Sequence, residues 1–221
     1  MRILGQPSII DDYKRLRAAS QVLVSKLRDA VPPFEFDIVK AAKKLTIPTQ
    51  GRTLIFDEGE TETTALMDFY LHEFRAGGRR LIDCCDPEKA GLLADEKALL
   101  DAHKSSRASL FEVVETEPQT ARLRLRDMLE PWEPDVMLSD LSMSSAKDLP
   151  GSVLLYLRVM SCQNIQMSSG CFFTFSMRQR ERLLSAFSSR MKTVPPGERS
   201  QRAFIFFYQR YREFGEPQAY A

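Results

Sequence analysis

The stretch from Ala108 to Ser176 constrains the fold more than any other part of the chain. Its hydrophobic period switches there from helix-like to strand-like and back, and about five short extended runs sit between turn residues. The clearest is 121–127, where Ala121, Leu123 and Leu125 alternate with Arg122, Arg124 and Arg126, leaving one face buried and one wet. Glu117-Pro118-Gln119-Thr120 joins it to a run over 110–116, and a tight turn there places Glu115 opposite Arg122. A third run covers 136–143. Pro150-Gly151 turns into a fourth over 152–160, which is apolar on both faces and is expected to lie centrally. Residues 163–176, broken by Ser168-Ser169-Gly170, supply the last one or two strands.

Helical periodicity flanks this region. Leu16, Ala19, Leu23 and Leu27 recur at spacings of three and four in a helix over 10–31 that Pro32 and Pro33 end. A shorter helix follows over 36–45, then a short strand or connector over 51–56. Asp57-Glu58-Gly59-Glu60 offers a cap and an acidic first turn to a helix burying Ala65, Leu66, Phe69, Tyr70 and Phe74, with Gly77-Gly78 as its exit. Asp86-Pro87 is expected to open the next helix, which runs to about Ser106 across a weakening Gly91. Two closing helices, near 177–191 and 198–214, flank Val194-Pro195-Pro196-Gly197, and Phe204, Phe207, Tyr211 and Phe214 form a packed stripe on the second. The fold class is therefore α+β: a helical part over 1–107, a central five-stranded antiparallel barrel-like sheet (OB- or SH3-like) over 108–176, and C-terminal helices over 177–221.

The segments Asp95-Glu96-Lys97-Ala98-Leu99-Leu100, Ser109-Leu110-Phe111-Glu112-Val113, Leu125-Arg126-Asp127-Met128-Leu129 and Ser139-Asp140-Leu141-Ser142-Met143-Ser144 resemble a pattern in uncharacterised bacterial proteins, some of which end in a SecA-type zinc motif. The resemblance spans about 36–175 and rests on turns and core positions. It implies a shared fold and no chemistry. The zinc motif is absent here, since no cysteine follows Cys171.

Charge is distributed less evenly than the net +1 suggests. Residues 177–214 hold nine basic and three acidic side chains, whereas 108–176 hold nine acidic and five basic, so the two regions are expected to attract each other. No stretch approaches the ~18 apolar residues of a membrane span. The start of the chain runs into Asp11, Asp12 and Lys14 without a signal-like apolar core. These features predict a soluble, cytoplasmic chain, off the membrane, whose four cysteines (Cys84, Cys85, Cys162, Cys171) stay reduced.

The residues that carry chemistry form no familiar set. His72, His103 and the cysteines make no ligand pair at zinc spacing, so no metal or other cofactor is expected. Asp68 and His72 share a helix face, which permits a carboxylate to orient an imidazole, but no nucleophile motif accompanies them and no catalytic residue is assigned. Phosphate-loop patterns are missing. What remains is cationic: Arg122, Arg124 and Arg126 on one strand face, with Arg210 and Arg212 on the last helix. The first reading is a non-enzymatic interaction module with an unknown protein partner. The second is a nucleic-acid-associated protein using those five arginines, and the third a hydrolase centred on His72.

Overall fold

The computed structural model describes residues 8–30, 37–57 and 59–217. The N-terminal part contains α1 (Ile9–Ala30), α2 (Ile38–Lys44), a hairpin of β1 (Thr49–Gln50) and β2 (Thr53–Leu54), α3 (Glu60–His72), a hairpin of β3 (Arg75–Ala76) and β4 (Arg79–Arg80), and α4 (Ala94–Lys104). The central part follows with β5 (Arg107–Glu117), β6 (Arg122–Asp127), β7 (Val136–Ser139), α5 (Leu141–Ser145), β8 (Val153–Cys162) and β9 (Ile165–Ser176). The chain closes with α6 (Arg180–Met191) and α7 (Arg199–Phe214).

The architecture is α+β, and its five central strands form one mixed sheet. Neighbours run β5-β6-β7-β9-β8, and β8 returns to β5. The expectation of a purely antiparallel sheet is corrected at one place: β7 meets β9 in parallel. The reason is topological. Asp140 accepts a hydrogen bond from the Met143 N–H (2.9 Å), capping α5, so the run expected to continue as strand to residue 143 stops at Ser139. The chain then crosses over so that β8 pairs with β5 and not with β7, and β9, antiparallel to β8, comes to lie beside β7 and parallel to it. β9 continues as one strand through Ser168-Ser169-Gly170, and the break expected there appears as an irregularity in its pairing with β8, whose register shifts between Leu157–Phe172 and Val159–Ser168.

Period-two alternation builds two cores. Leu123, Leu125, Leu155, Leu157 and Val159 point into the interior of the sheet with Phe111 and Val113, and Met143 and Leu149 belong to the same cluster. Leu154, Tyr156 and Met160, the alternate residues of β8, face the helices instead. That is why β8 reads as apolar on both sides. The helix-facing layer is aromatic: the rings of Tyr156 and Phe207 lie 4.3 Å apart, and Phe173 stacks on Tyr211 at 5.3 Å. The expected stripe on α7 is thus the surface by which that helix covers β8 and β9.

Local corrections follow from turn chemistry. Gly77-Gly78 does not terminate α3, which ends at His72; with φ of 57° and 80° the two glycines form the tight turn of the β3–β4 hairpin. Asp86 caps only a turn, accepting from the N–H groups of Glu88 and Lys89, and α4 starts eight residues later at Ala94, with Glu96 accepting from the Leu93 N–H at 2.8 Å. α1 opens on a reciprocal cap, Ser8 Oγ accepting from the Asp11 N–H and Asp11 accepting from Ser8. Its expected stop at Pro32 and Pro33, like the part of the α3 cap assigned to Glu58, lies outside the described residues.

Candidate functional site

The best-formed cleft opens where α1, the start of α3 and the central sheet meet. It is a cavity of about 370 Å³ lined by Tyr13, Arg17, Glu60, Thr61, Thr64, Asp140, Ser142, Met143, Gly170, Cys171 and Phe172. α1 supplies Tyr13 and Arg17 one turn apart on its sheet-facing side, continuing the stripe of Leu16, Leu23 and Leu27. The Tyr13 hydroxyl donates to Asp140 at 3.2 Å. Arg17 donates to the Ser168 carbonyl at 2.9 Å. It lies against Gly170, whose φ of +100° disfavours any side chain, and a Cβ there would sit 3.5 Å from the guanidinium. The α3 N-cap, Gly59, makes no side-chain capping hydrogen bond among the described residues, and the first turns of the helix bring Glu60, Thr61 and Thr64 to the cleft.

The electrostatics of this cleft favour holding a ligand over transforming one. Burial pushes the Tyr13 phenol up to about 12, the Asp140 charge adding to the effect, so it remains a hydrogen-bond donor at neutral pH. Both Asp140 oxygens are engaged, one by Tyr13 and one by the α5 cap. Burial, reinforced by Asp68, holds the Cys171 thiol well above its ordinary pKa, which keeps it protonated and a poor nucleophile. A hydroxyl-lined recess with one cation and two carboxylates matches small polar ligands with both donor and acceptor groups.

A second cluster lies sealed between the helices and β8. Arg158, 2% exposed, donates to Asp68 at 3.2 Å and Glu73 at 2.6 Å. Glu73 also accepts from Ser200 on α7 at 2.8 Å. Burial opposes the charge on Arg158, but Asp68 and Glu73 outweigh it and hold its pKa above the ordinary value. Beside it, His72 Nε2 and His103 Nδ1 are 3.3 Å apart. Burial, with Arg158 adding to it, keeps His72 well below its usual pKa, and burial pushes His103 down to about 4, so both rings are neutral at pH 7. Asp68 is 3.8 Å from His72, beyond hydrogen-bond distance, and its charge is taken by Arg158. A hydrolase centred on His72 finds no support in this arrangement: the imidazole is enclosed and no activated nucleophile adjoins it. Among the described residues, no three His, Cys, Asp or Glu side chains gather as metal ligands.

The arginine row on β6 points outward as expected, but its charge is matched. The β5–β6 turn takes in four residues, Pro118 to Ala121, with Ala121 left-handed (φ 54°), so Glu117 faces Arg122 and Glu115 faces Arg124, correcting the expected Glu115–Arg122 pair; a bulge between Val113 and Glu115 shifts only the pairs beyond it. Arg124 binds Glu115 at 3.0 Å and Asp135 at 3.1 Å; Arg126 lies 3.6 Å from Asp135. Arg122 makes no ion pair among the described residues and borders a shallow recess with Met137, Ser139, Gln163, Asn164 and Gln166. The α7 arginines sit elsewhere. Arg210 pairs with Glu213 and lies over the Phe206 ring, and Arg212 reaches Asp57 at 3.3 Å and Glu62 at 3.4 Å. The five arginines do not converge. The expected attraction between 177–214 and 108–176 is not realised as ion pairs either; among the described residues, the closing helices pair with Glu198, Glu213, Asp57 and Glu62.

With the geometry in view, comparison with known proteins places the chain. It belongs to a family of unknown function (DUF7986), which matches residues 8–221. No curated protein and no solved structure matches it. The family match covers the helices and the central sheet together, so the cleft between them lies within the matched region. Among the described residues, no helix is long and apolar enough to cross a membrane. Neither the cleft nor the Arg158 cluster was found by reading the sequence. Tyr13 and Arg17 read as ordinary helix positions, and Arg158 was hidden in an apolar run; one basic residue on the inward period of a strand was the available signal.

Proposed function

We propose that the protein is a non-enzymatic binding module whose recognition site is the cleft between α1, α3 and the sheet. The carrying observation is the convergence of Tyr13, Arg17, Thr61, Thr64, Asp140 and Ser142 from three separate elements on one cavity, with the Tyr13 phenol and the Cys171 thiol there both held protonated. The ligand class that fits is a small polar molecule, such as a polyol, an amino acid or a hydroxy acid, seated by the Arg17 guanidinium and the hydroxyls. A thermal-shift screen of such compounds tests it. Stabilisation lost in Arg17→Ala and Thr64→Val supports the reading, and stabilisation indifferent to both variants refutes it.

A second reading has its own observation. The strand order, closed through β5 and β8 with a helix between the third and fourth strands, is that of an OB-type barrel, in which the face of strands two and three and the loop joining strands four and five bind oligonucleotides. Here that face is β6–β7, and the recess beside Arg122, Gln163 and Gln166 lies on it. The support is an analogy of fold. Ion pairing at Arg124 and Arg126 weighs against it, as does the absence of any aromatic side chain lining the recess. Salt-dependent binding of single-stranded DNA lost in Arg122→Glu would establish it; no binding at low salt removes it.

A further inference from the structure

Two surface features away from the cleft stand unexplained. The first is Trp132, the chain's only tryptophan, 76% exposed at the tip of the β6–β7 loop. The loop 130–135 reads Glu-Pro-Trp-Glu-Pro-Asp and carries three carboxylates and no basic residue. Glu130 is held by Arg107 and Asp135 by Arg124 and Arg126, but Glu133 makes no ion pair among the described residues. A large aromatic ring held in water on a short loop flanked by two prolines is costly to hydrate and already ordered, the combination found at binding anchors.

The second feature is the groove between α6 and α7, a recess of about 480 Å³ lined by Ala186, Ser189, Arg190, Arg202, Ile205, Phe206, Gln209 and Arg210. Its charged residues are all arginines. Its floor is apolar, and Arg210 lies 5.3 Å over the Phe206 ring. Arg202 and Arg210 each hold one carboxylate of α7's own segment, whereas Arg190 is exposed and makes no ion pair among the described residues. The two features flank one helix. Met128 and Leu129, at the base of the tryptophan loop, border a recess against Leu184, Phe187 and Met191 of α6, and the arginine groove lies along the opposite flank of that helix, on Ala186, Ser189 and Arg190.

We infer that the loop and the groove mediate self-association, with Trp132 of one copy entering the α6–α7 groove of a second and Glu133 meeting Arg190. The loop is acidic with an aromatic anchor; the groove is cationic with an apolar floor and guanidinium groups able to lie over an indole ring. The two surfaces lie on opposite flanks of α6, so the contact is head-to-tail and the ring of each copy enters the groove of the next.

The single tryptophan makes this directly readable. Sedimentation velocity and Trp132 fluorescence are followed together over a concentration series of the full chain. The expected result is an average mass that rises with concentration, with a blue shift of the emission that tracks it. Trp132→Ala, an exposed change that leaves the fold intact, is expected to weaken the association by about thirtyfold or more. Arg190→Glu weakens it as well, and Arg190→Glu combined with Glu133→Arg restores it. A monomer with solvent-exposed emission at every concentration overturns the inference. So does an association that survives both Trp132→Ala and Arg190→Glu, or a groove that binds an oligonucleotide while the chain stays monomeric.

Discussion

Replacing Arg158 by methionine isolates the interaction that ties the helices to β8. The guanidinium is 2% exposed, and its two partners, Asp68 on α3 and Glu73 just beyond it, are almost as deeply buried. Arg158→Met keeps much of the packed volume but leaves two carboxylates facing each other without a cation. Breaking a buried ion pair from one side costs about 3–5 kcal/mol, because the stranded charge has lost both water and partner. For a chain of this size each kcal/mol moves the melting temperature by about 2–4 °C, so the single change is expected to lower it by roughly 6–20 °C. The triple variant Arg158→Met, Asp68→Asn, Glu73→Gln removes the charges as a set and should recover more than half of the loss. Equilibrium urea unfolding of wild type, single and triple variants measures all three. A single-variant cost below about 1 kcal/mol, or a triple variant less stable than the single, would refute the reasoning.

Other outcomes follow from the same geometry. His72 and His103 fold as neutral rings with depressed pKa values, so their contribution is complete above the unfolded value of 6.5 and is lost as pH falls below it. Urea unfolding should show stability falling by about 1.4 kcal/mol per pH unit for each ring, continuing for His103 to about pH 4, and His103→Leu should flatten that slope. Leu123→Ala, inside the sheet, should cost about 2–5 kcal/mol by thermal melting, whereas Arg124→Glu on the wet face, which sets like charges opposite Glu115, should lower the melting temperature far less. Alkylation of the native protein followed by mass spectrometry should label half-exposed Cys84 before the buried Cys162 and Cys171, and the reverse order would contradict the burial of β8 and β9.

Much of the fold was legible because its signals are local. The Leu123/Leu125 alternation needs only neighbouring residues to be read, and so does the aromatic stripe of Phe204, Phe207 and Tyr211. The parallel β7–β9 contact depends on where the chain crosses over, and nothing in 136–143 announces that Asp140 will cap a helix in place of continuing a strand. The pairing of Glu115 with Arg124 depends on the length of the 118–121 turn, since two further residues in the loop move every pair that follows it. The cleft was the least legible part. Tyr13, Thr64 and Asp140 are distant in sequence, and each has an ordinary role in its own element. Only the packing of α1 and α3 on the sheet makes them one site.

The proposal that this site binds is tested most directly by amide chemical-shift mapping with the strongest stabilising compound from the polar-ligand screen. Perturbations gathered on Tyr13, Arg17, Thr61, Thr64, Ser142 and Gly170 are the predicted result. Perturbations gathered on Arg122, Gln163 and Gln166, with the cleft silent, would contradict it.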